Sequence, residues 1–457
     1  MAHGPVDVAV VGGGMAGLVV ANRCAQLGLR TVLLEKGGSP DGDSNARIST
    51  GLFHLAWRPL DAPPDELEAA MIAATDGHID PDIARAIAAS SGAALQWLID
   101  EGISFAPSRD GAAFRWHVTP HGVNVGRRIE GDRGTYRMVR SLYANLRARG
   151  ATVFHDSRVT DLEPLADRWR LTVDGTVRGH RVEGARVVLC DGGFQSSPEL
   201  LTRYVGPRAH DLVLRAAATG TGDALTMALR VGAAASGLDR FYGHILSHDA
   251  LHADLWPYPV LDRLCQQGVI VDKRGRPLAA GFADGIQLAN ILARTENPRG
   301  WTVVVTESEW KRSGGDSAPG QGATAYDDLE RLGGTVCRAV GAHRLATELG
   351  LPAQSLADAI ENCLGPAAMT SRLVGLPIVP GITFTMGGIA VRADGAVISA
   401  DGSVIAGLFA CGSACGGIQG GPRSGYLGGL AVAAVTAWIA AGAICRESGL
   451  CGDPCGV

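Results

Sequence analysis

The chain has 457 residues, of which 46% are hydrophobic and 19% are charged, with a formal net charge of -5 and a pI of about 6.2. This length exceeds what one hydrophobic core usually holds, so two domains or one large elaborated domain are expected. The small negative charge gives no electrostatic case for nucleic acid or an anionic membrane as a partner.

The N-terminal stretch VDVAVVGGGMAGLVVANRCAQLGLRTVLLEK predicts a strand, a tight turn, a helix and a second strand. Gly12, Gly14 and Gly17 form a G-x-G-x-x-G pattern in the turn, and Glu35 follows 23 residues after Gly12. In this context the glycines permit the turn, the approach of backbone to a pyrophosphate and the packing of helix on strand, while the acid accepts hydrogen bonds from a ribose. The pattern therefore predicts a dinucleotide site, without choosing between FAD and NAD.

Further strands and helices follow this unit. A polar loop over residues 37–51 precedes helical segments, and the stretches WRLTVDG and ARVVLCDGGF predict buried strands. The stretch GTGDALTMALRVGA predicts a Gly/Thr loop and a helix. The composition changes over residues 241–373, where Trp, Tyr and His cluster, and the Gly-rich character then returns. We expect a first domain made of residues 1–240 and 374–457, with 241–373 inserted as a second domain.

The C-terminal part contains the Gly-rich stretch CGSACGGIQGGPRSGYLGGLAVAA, residues 411–434. Glycine is costly to order, so such a cluster indicates backbone that passes close to a ligand. The uncharged run Gly425 to Cys445 is long enough to span a membrane. Because it is rich in Gly and Ala and continues from the glycine cluster, we predict a buried helix and no membrane span.

The ten cysteines lie mostly in apolar runs, and no secretory signal opens the chain. They are therefore predicted to be reduced thiols of a cytoplasmic protein. The C-x3-C pairs Cys411/Cys415 and Cys451/Cys455 lack histidine partners at zinc-finger spacing, so no metal site is predicted. Packing is the preferred role for Cys411 and Cys415, with a redox pair as the alternative.

Several motifs together carry a family resemblance: VGGGMAGLVVA with LLEK, then VVLCDGGF, GTGDALTMALRVGA, FTMGGIAV and IAGLFACG before the Gly-rich run. In this order they resemble the FAD-dependent fumarate reductase/succinate dehydrogenase flavoprotein superfamily, which includes 3-ketosteroid dehydrogenases. The resemblance implies an α/β fold, with a Rossmann-type FAD-binding domain split in sequence and an inserted α+β capping domain. Residues 416–429 would then run beneath the isoalloxazine ring, and the next helix would favour negative charge on the reduced flavin.

The resemblance and the glycine fingerprint together assign a set of residues to FAD: Gly12, Gly14, Met15, Ala16, Glu35, Lys36, Asn45, Ser49, Thr50, Gly51, Val159, Gly192, Gly193, Asp223, Gly412, Ser413, Ser424, Gly425 and Leu427. Membrane-bound members attach FAD through a histidine in the first loop. Asn45 stands at that place, so FAD is expected to bind non-covalently. For Asp223 a structural cap near FAD is preferred over a catalytic base.

Two departures from the family bear on the substrate. Fumarate reductases carry a histidine before TMGG that grips a carboxylate, and Phe384 stands there in this chain. In the capping stretch, Asp284 is found in place of the Glu and Arg that relay a proton. A dicarboxylate needs charge-assisted partners, so fumarate and succinate are not expected as substrates.

The catalytic candidates are Arg423, Tyr426, Tyr258 and His54, and the substrate contacts are Phe384, Gly425 and Tyr242. The final loop aligns in two registers, which place either Arg423 or Tyr426 on the family's catalytic arginine. In ketosteroid dehydrogenases a backbone N–H of this loop polarises a ketone, a role that Gly425 would fill. The alternatives are a surface charge or FAD contact for Arg423, a helix-surface position for His54 and simple packing for the aromatic residues.

The resemblance implies removal or addition of two hydrogens on adjacent carbons. We expect an FAD-dependent oxidoreductase of the CH–CH class that desaturates a small carbonyl compound, with an electron acceptor that the sequence does not identify. A base would take the proton α to the carbonyl and a hydride would pass to flavin N5. The alternatives are an ene reductase, a flavin oxidase of C–N or C–O bonds, and a flavin-binding protein without turnover.

Overall fold

The computed structural model of the chain describes residues 5–107, 116–119, 134–175, 180–251, 260–315, 329 and 334–450. Its helices, numbered α1 to α13 in chain order, are Met15–Gln26, Asn45–Ile48, Pro64–Ala74, Pro81–Asp100, Gly134–Ala148, Pro198–Tyr204, Asp223–Arg230, Asp262–Gln267, Gly285–Ala293, Glu307–Gly315, Ala342–Leu349, Ala353–Leu364 and Gly429–Glu447.

The strands are numbered β1 to β20 in the same way. They are Val6–Val11, Thr31–Leu34, Leu52–Phe53, Phe105–Pro107, Trp116–Val118, Thr152–Phe154, Ser157–Pro164, Trp169–Gly175, His180–Leu189, Val213–Leu214, Ala235–Ser236, Phe241–Ser247, Val269–Asp272, Trp301–Thr306, Cys337–Val340, Arg372–Thr385, Gly388–Ala390, Ala396–Ile398, Val404–Ala410 and Cys415–Gly416.

A largely parallel sheet forms the core of the first layer, with the strand order β18-β19-β9-β1-β2-β6. Strand β1 pairs in parallel with both β2 and β9, as its apolar sequence predicts, and Val8 and Val10 are fully buried. Helix α1 packs against α5 and α13 and covers this sheet. The predicted strand–turn–helix–strand unit is therefore confirmed. Its strands are apolar because a parallel sheet is buried on both faces.

A second sheet is built around the long strand β16, which pairs with β10, β12, β14 and β15. This strand runs without interruption from Arg372 to Thr385. The domain boundary that the composition suggests, between residues 373 and 374, thus falls within one continuous strand. Strand β10 lies before residue 240 in the sequence and also joins this sheet, so the strands of the second sheet come from both sides of the expected boundaries.

Helix α13 is long and apolar enough to cross a membrane by length and composition, and it is the one such helix among the described residues. Within its most apolar window 61% of the residues are buried in the fold, and the helix packs against α1 and α4. This burial is what the core helix of a folded domain shows, in agreement with the predicted buried helix.

The thiol nearest to Cys411 belongs to Cys190, with 3.2 Å between the two sulfur atoms, and not to its sequence neighbour Cys415. All three side chains are buried and free. Burial raises the pKa of Cys190 and Cys415, so both are poor nucleophiles and packing is the better supported role. The prediction that every cysteine is reduced is wrong for Cys445, which is disulfide-bonded.

Candidate functional site

A cavity of about 300 Å³ lies at the carboxyl ends of β1, β2 and β9 and extends to the second sheet. Most of the predicted site residues line it: Gly12, Gly14, Met15, Ala16, Glu35, Lys36, Asn45, Ser49, Thr50, Gly51, His54, Val159, Gly192, Gly193, Asp223, Tyr242, Phe384, Ser413 and Tyr426. We call the end at the glycine fingerprint the nucleotide half and the end at Tyr242 the aromatic half. Tyr258 lies outside the described residues.

The glycine fingerprint has the backbone geometry that its sequence predicts. Gly12 has a φ of +100°, which favours glycine. A Cβ on Gly17 would lie 1.8 Å from the carbonyl oxygen of Gly12, so the helix packs directly on the turn. Gly14 immediately precedes α1 and lines the cavity. The turn and the start of the helix thus form a cradle suited to a pyrophosphate.

Glu35 is buried beside this cradle. Its Oε2 accepts a hydrogen bond from the Gly13 amide at 2.5 Å, and its Oε1 accepts one from the Gly37 amide at 2.6 Å. Burial raises the pKa of Glu35, against the effect of these two hydrogen bonds. A carboxylate accepts more than two hydrogen bonds, so these contacts fix its orientation and leave capacity for ribose hydroxyls.

Asp223, the first residue of α7, holds two cations in the nucleotide half. Arg158 Nη2 lies 2.6 Å from Asp223 Oδ1, and Lys36 Nζ lies 3.0 Å from Asp223 Oδ2. Burial raises the pKa of Asp223, but the hydrogen bond from Arg158 and the charge of Lys36 together keep that pKa below its ordinary value. An acid held in its ionised form by two cations suits a structural role better than that of a base.

Asp191 is a further acid of this half that the sequence analysis did not single out, although it immediately follows the predicted strand in VVLCDGGF. Its Oδ2 accepts a hydrogen bond from the Ala224 amide at 3.0 Å, whereas its Oδ1 is buried with no partner among the described residues. Burial raises the pKa of Asp191 to about 6. A buried acceptor at a cavity wall fits a ligand with hydroxyl donors, as FAD has in its sugar and ribityl chain.

Asn45 bridges the two halves through its amide. Its Nδ2 donates to the Thr383 carbonyl at 2.9 Å, and its Oδ1 accepts from the Ala217 amide at 2.8 Å. Both ends of the side chain are therefore held by backbone. An amide nitrogen is not a nucleophile at neutral pH, which supports the predicted non-covalent cofactor.

The aromatic half has a wall of five rings, which we call the aromatic wall: His54, Trp57, Tyr242, Phe384 and Tyr426. Tyr242 and Tyr426 are stacked with 4.1 Å between ring centroids, and Phe384 lies 5.3 Å from Tyr242. His54 lies 5.5 Å from Tyr426 and stacks on Trp57 at 4.4 Å. This wall offers a largely apolar surface with two phenol hydroxyls.

A chain of hydrogen bonds leads from the aromatic wall into the second sheet. Tyr242 Oη and His244 Nε2 are 3.0 Å apart, and His244 Nδ1 lies 2.6 Å from Asp262 Oδ2. Tyr242 and His244 lie two residues apart on β12, and their contact shows that the two side chains share one face. Burial raises the pKa of Tyr242 well above its ordinary value, with the neighbouring Tyr426 adding to the effect. Asp262 was not a candidate from the sequence, because its place beside β12 depends on the packing of α8.

Arg215 is the third residue that the sequence analysis missed, after Asp191 and Asp262. It follows β10, and its Nη1 donates to Thr383 Oγ1 at 3.2 Å. The side chain is buried and lines the cavity near Tyr242. Burial lowers the pKa of Arg215, but a guanidinium stays charged in proteins. The sequence feature that could have identified Arg215 as a site residue is its place as a lone Arg in the apolar stretch LVLRAAA.

Arg423 lies outside the cavity lining. Its Nη2 forms an ion pair of 2.7 Å with Asp76 Oδ1, and its side chain is 61% exposed. The cause is the turn around it: Ser424 has a φ of +54° and the Gly425 amide donates to the Gly420 carbonyl at 2.7 Å. A Cβ on Gly425 would lie 2.1 Å from the carbonyl oxygen of Ala74. The loop thus packs against the end of α3 and directs Arg423 to the surface, as in the alternative role named above.

The other predicted residues of the Gly-rich segment are buried near the cavity without lining it. The Gly425 amide is engaged with Gly420 and so does not face a substrate carbonyl. The Gly412 amide donates to Thr436 Oγ1 at 3.0 Å, and the Leu427 amide donates to Gln419 Oε1 at 2.9 Å. Gly412 is thus held against α13, whereas the contact of Leu427 and the turn at Ser424 shape the loop around Tyr426.

The chain is similar to known flavoproteins over nearly its whole length. Residues 7–426 match the family described as FAD binding domain. The chain is 28% identical over 431 residues to an L-aspartate oxidase from Streptomyces coelicolor, covering 91% of this chain and 64% of that protein. It is 25% identical to a probable fumarate reductase, Ifc3, from Shewanella frigidimarina, covering 95% and 74%. Among solved structures, a 3-ketosteroid Δ1-dehydrogenase from Sterolibacterium denitrificans superposes with a TM-score of 0.73 at 16% identity, covering 97% of this chain and 100% of that chain.

Proposed function

This chain belongs to the FAD binding domain family and is a flavoprotein that binds FAD, and on that premise we propose that it exchanges hydrogen across a carbon–carbon bond next to a carbonyl group. The finer proposal is desaturation: the substrate is a small saturated carbonyl compound, and a proton and a hydride leave adjacent carbons. Bound FAD would supply the two-electron acceptor for the hydride.

The observation that carries this proposal is the hydrogen-bonded chain of Tyr242, His244 and Asp262 at the cavity. Desaturation needs a group that removes a proton from the carbon α to the carbonyl. Tyr242 presents its hydroxyl within the aromatic wall, and His244 lies at hydrogen-bond distance to take up the tyrosine proton. Asp262 orients the imidazole and stabilises its charged form, in the way that an acid supports a catalytic histidine.

Tyr426 supplies the second hydroxyl of the aromatic wall. The Gly429 amide donates to its oxygen at 3.2 Å, and its ring stacks on Tyr242, so the two phenols lie side by side at the cavity. A phenol that donates to the substrate carbonyl would raise the acidity of the α-proton. Tyr426 therefore takes the carbonyl-polarising role that the sequence analysis gave to Gly425. It is also the residue that the second register of the final loop aligns with the family's catalytic arginine.

A second candidate, reduction of an activated alkene, is favoured by two observations. The Shewanella frigidimarina relative is named a probable fumarate reductase. Burial raises the pKa of Tyr242, so its hydroxyl carries a proton at neutral pH and can donate it. The same residues serve both directions, because a group that removes the α-proton in one direction returns it in the other.

Anaerobic mixing experiments test the proposal and separate its two directions. The oxidised enzyme is mixed with saturated ketones and acids, and the dithionite-reduced enzyme is mixed with the matching α,β-unsaturated compounds. Bleaching of the flavin by a saturated compound supports desaturation, and reoxidation only by unsaturated compounds supports reduction. Bleaching by amines or alcohols alone would contradict the proposal and indicate a C–N or C–O oxidase.

A further inference from the structure

We propose that the substrate carries an apolar ring next to its reacting carbons, and that Trp57 is the specificity-determining residue that binds this ring. The inference deepens the proposed function, on which it rests for placing the substrate in this cavity. It concerns binding, and its test uses ligands that need not react.

Trp57 lies in a tight turn over residues 55–58 whose backbone is unusual for its sequence. The Leu55 amide donates to the Arg58 carbonyl at 3.0 Å, and the Arg58 amide donates to the Leu55 carbonyl at 2.9 Å. The two residues between them, Ala56 and Trp57, have φ angles of +47° and +64°. Two successive positive φ angles are typical of type I′ turns, in which Asn and Gly are the usual residues.

The backbone of this turn is strained, because a side chain with a Cβ is disfavoured at positive φ and a bulky one is rarely found there. The final loop holds the turn in this conformation. The Ala56 amide donates to the Leu427 carbonyl at 2.8 Å, and a Cβ on Gly428 would lie 2.1 Å from the carbonyl oxygen of His54. Strain that the surrounding structure maintains in this way concentrates at ligand sites.

The strained turn presents the indole to the cavity. Trp57 lines the aromatic half and is 44% exposed, so part of its surface is accessible to a molecule that enters there. Its ring stacks on the buried His54 with an angle of 10° between the ring planes, and it meets Tyr426 edge-on at 6.0 Å. These two contacts fix the orientation of the indole beside the phenol that we assign to the substrate carbonyl.

The chemistry of the indole indicates which substituent it binds. Covering exposed apolar surface is favourable, and an aromatic group adds favourable contacts with another ring. A glycine in place of Trp57 would fit the turn better, so the retained indole is explained by a contact that glycine cannot make. A carbonyl compound with an apolar ring makes this contact, whereas a short aliphatic ketone does not.

The experiment is a titration of the oxidised holoenzyme, followed by the change of the flavin absorption spectrum. The probes are benzylacetone and butanone, which share the carbonyl group and the adjacent carbons and differ in the phenyl ring. For a probe that reduces the flavin, the concentration dependence of bleaching gives the affinity.

The variants are Trp57→Ala and Trp57→Gly, with Ala56→Gly as the control that changes the same turn and keeps the indole. The FAD content and the urea unfolding curve of each variant report whether it folds and retains its cofactor.

We expect the wild type to bind benzylacetone about 10-fold more tightly than butanone, a difference of about 1.4 kcal/mol. Both Trp57 variants should lose about 5-fold of this preference, because an aromatic contact contributes on this scale, and Ala56→Gly should keep all of it. Trp57→Gly should unfold at a higher urea concentration than Trp57→Ala, since glycine relieves the strain at positive φ.

Each of four results would overturn the inference. They are a wild type that does not prefer benzylacetone, an unchanged preference in both Trp57 variants, a Trp57→Gly protein less stable than Trp57→Ala, and loss of FAD from both variants, which would assign the indole to the cofactor.

These outcomes are distinct from failure of the proposed function. If carbonyl compounds bleach the flavin equally well with and without a ring, only the inference fails. If benzylacetone binds through Trp57 and no carbonyl compound is oxidised or reduced, only the proposed function fails.

Discussion

His244 Nδ1 lies 2.6 Å from Asp262 Oδ2, while His244 Nε2 faces the hydroxyl of Tyr242 at 3.0 Å. The imidazole thus connects a carboxylate at the start of α8 with a phenol at the cavity. In this arrangement Asp262 fixes the orientation of His244, and His244 determines how readily Tyr242 exchanges its proton.

The first prediction concerns Tyr242. Tyr242→Phe should retain FAD but lower the rate of flavin reduction by the substrate about 100-fold or more, because a positioned acid or base contributes on this scale. Stopped-flow measurement of the reductive half-reaction checks it. Tyr204→Phe is the matched control, since Tyr204 packs on Phe194 and does not line the cavity. A Tyr242→Phe enzyme that reacts at the wild-type rate would assign the proton transfer elsewhere.

The second prediction concerns Asp262 as a positioning residue. Asp262→Asn should lower the half-reaction rate about 10-fold or more, because the imidazole loses the carboxylate that fixes its orientation. Combined with His244→Gln, the effects should be less than additive, as for two residues of one network. Asp272→Asn is the control, since Asp272 contacts Arg276 away from the cavity. Additive losses of the half-reaction rate would reduce Asp262 to a structural role.

The third prediction concerns the final loop. Arg423→Ala should leave FAD bound and the half-reaction rate within about two-fold of the wild type, because Arg423 is paired with Asp76 at the surface and exposed pairs contribute little. Tyr426→Phe should be the more damaging change, about 10-fold or more, since its hydroxyl lies at the aromatic wall. Parallel stopped-flow runs on the two variants decide between them. A larger loss in Arg423→Ala would restore the register that places this arginine at the substrate.

The fourth prediction concerns attachment of the cofactor. Acid precipitation of the purified protein should release yellow FAD into the supernatant, because Asn45 has both ends of its amide bound to backbone and offers no nucleophile. The measurement is the absorption spectrum of supernatant and pellet, with mass spectrometry of the intact chain. Flavin that remains with the pellet would contradict non-covalent binding.

The fifth prediction concerns the pH dependence of stability. Burial raises the pKa of Asp191 from 3.8 to about 6, so the folded chain binds more protons than the unfolded chain between these values. The free energy of unfolding of the apoprotein should therefore fall as pH rises from about 4 to about 6 and be insensitive to this group at higher pH. The full contribution is about 3 kcal/mol.

Asp191→Asn should remove this pH-dependent contribution. Urea unfolding of wild-type and variant apoprotein at about pH 5 and about pH 7 measures it as the difference between the two proteins. Stability of the wild type that rises relative to the variant with increasing pH would reverse the sign and place a counter-charge beside Asp191.

The first βαβ unit was predictable residue by residue, because its determinants are local. The apolar strand, the helical periodicity and the glycines at fixed spacing lie within one short stretch, and Gly12 adopts the positive φ that its place in the turn requires. Glu35 reaches the cavity for the same reason, since it directly follows the strand paired with β1. The family resemblance extended this prediction to Asn45 and Asp223, because each of them lies in a short stretch that resembles the family.

The substrate end of the cavity depended on tertiary structure. Arg215 lies near Tyr242 because β10 and β12 both pair with β16, a strand more than a hundred residues further along the chain. Asp262 reaches His244 because α8 packs on β12. One register of the final loop places Arg423 on the family's catalytic arginine, yet the turn at Ser424 and Gly425 directs its side chain to Asp76 on the surface. A sequence pattern determines what a segment can form, whereas the direction of a side chain depends on which distant strands lie beside it, and those pairings carry no local signature.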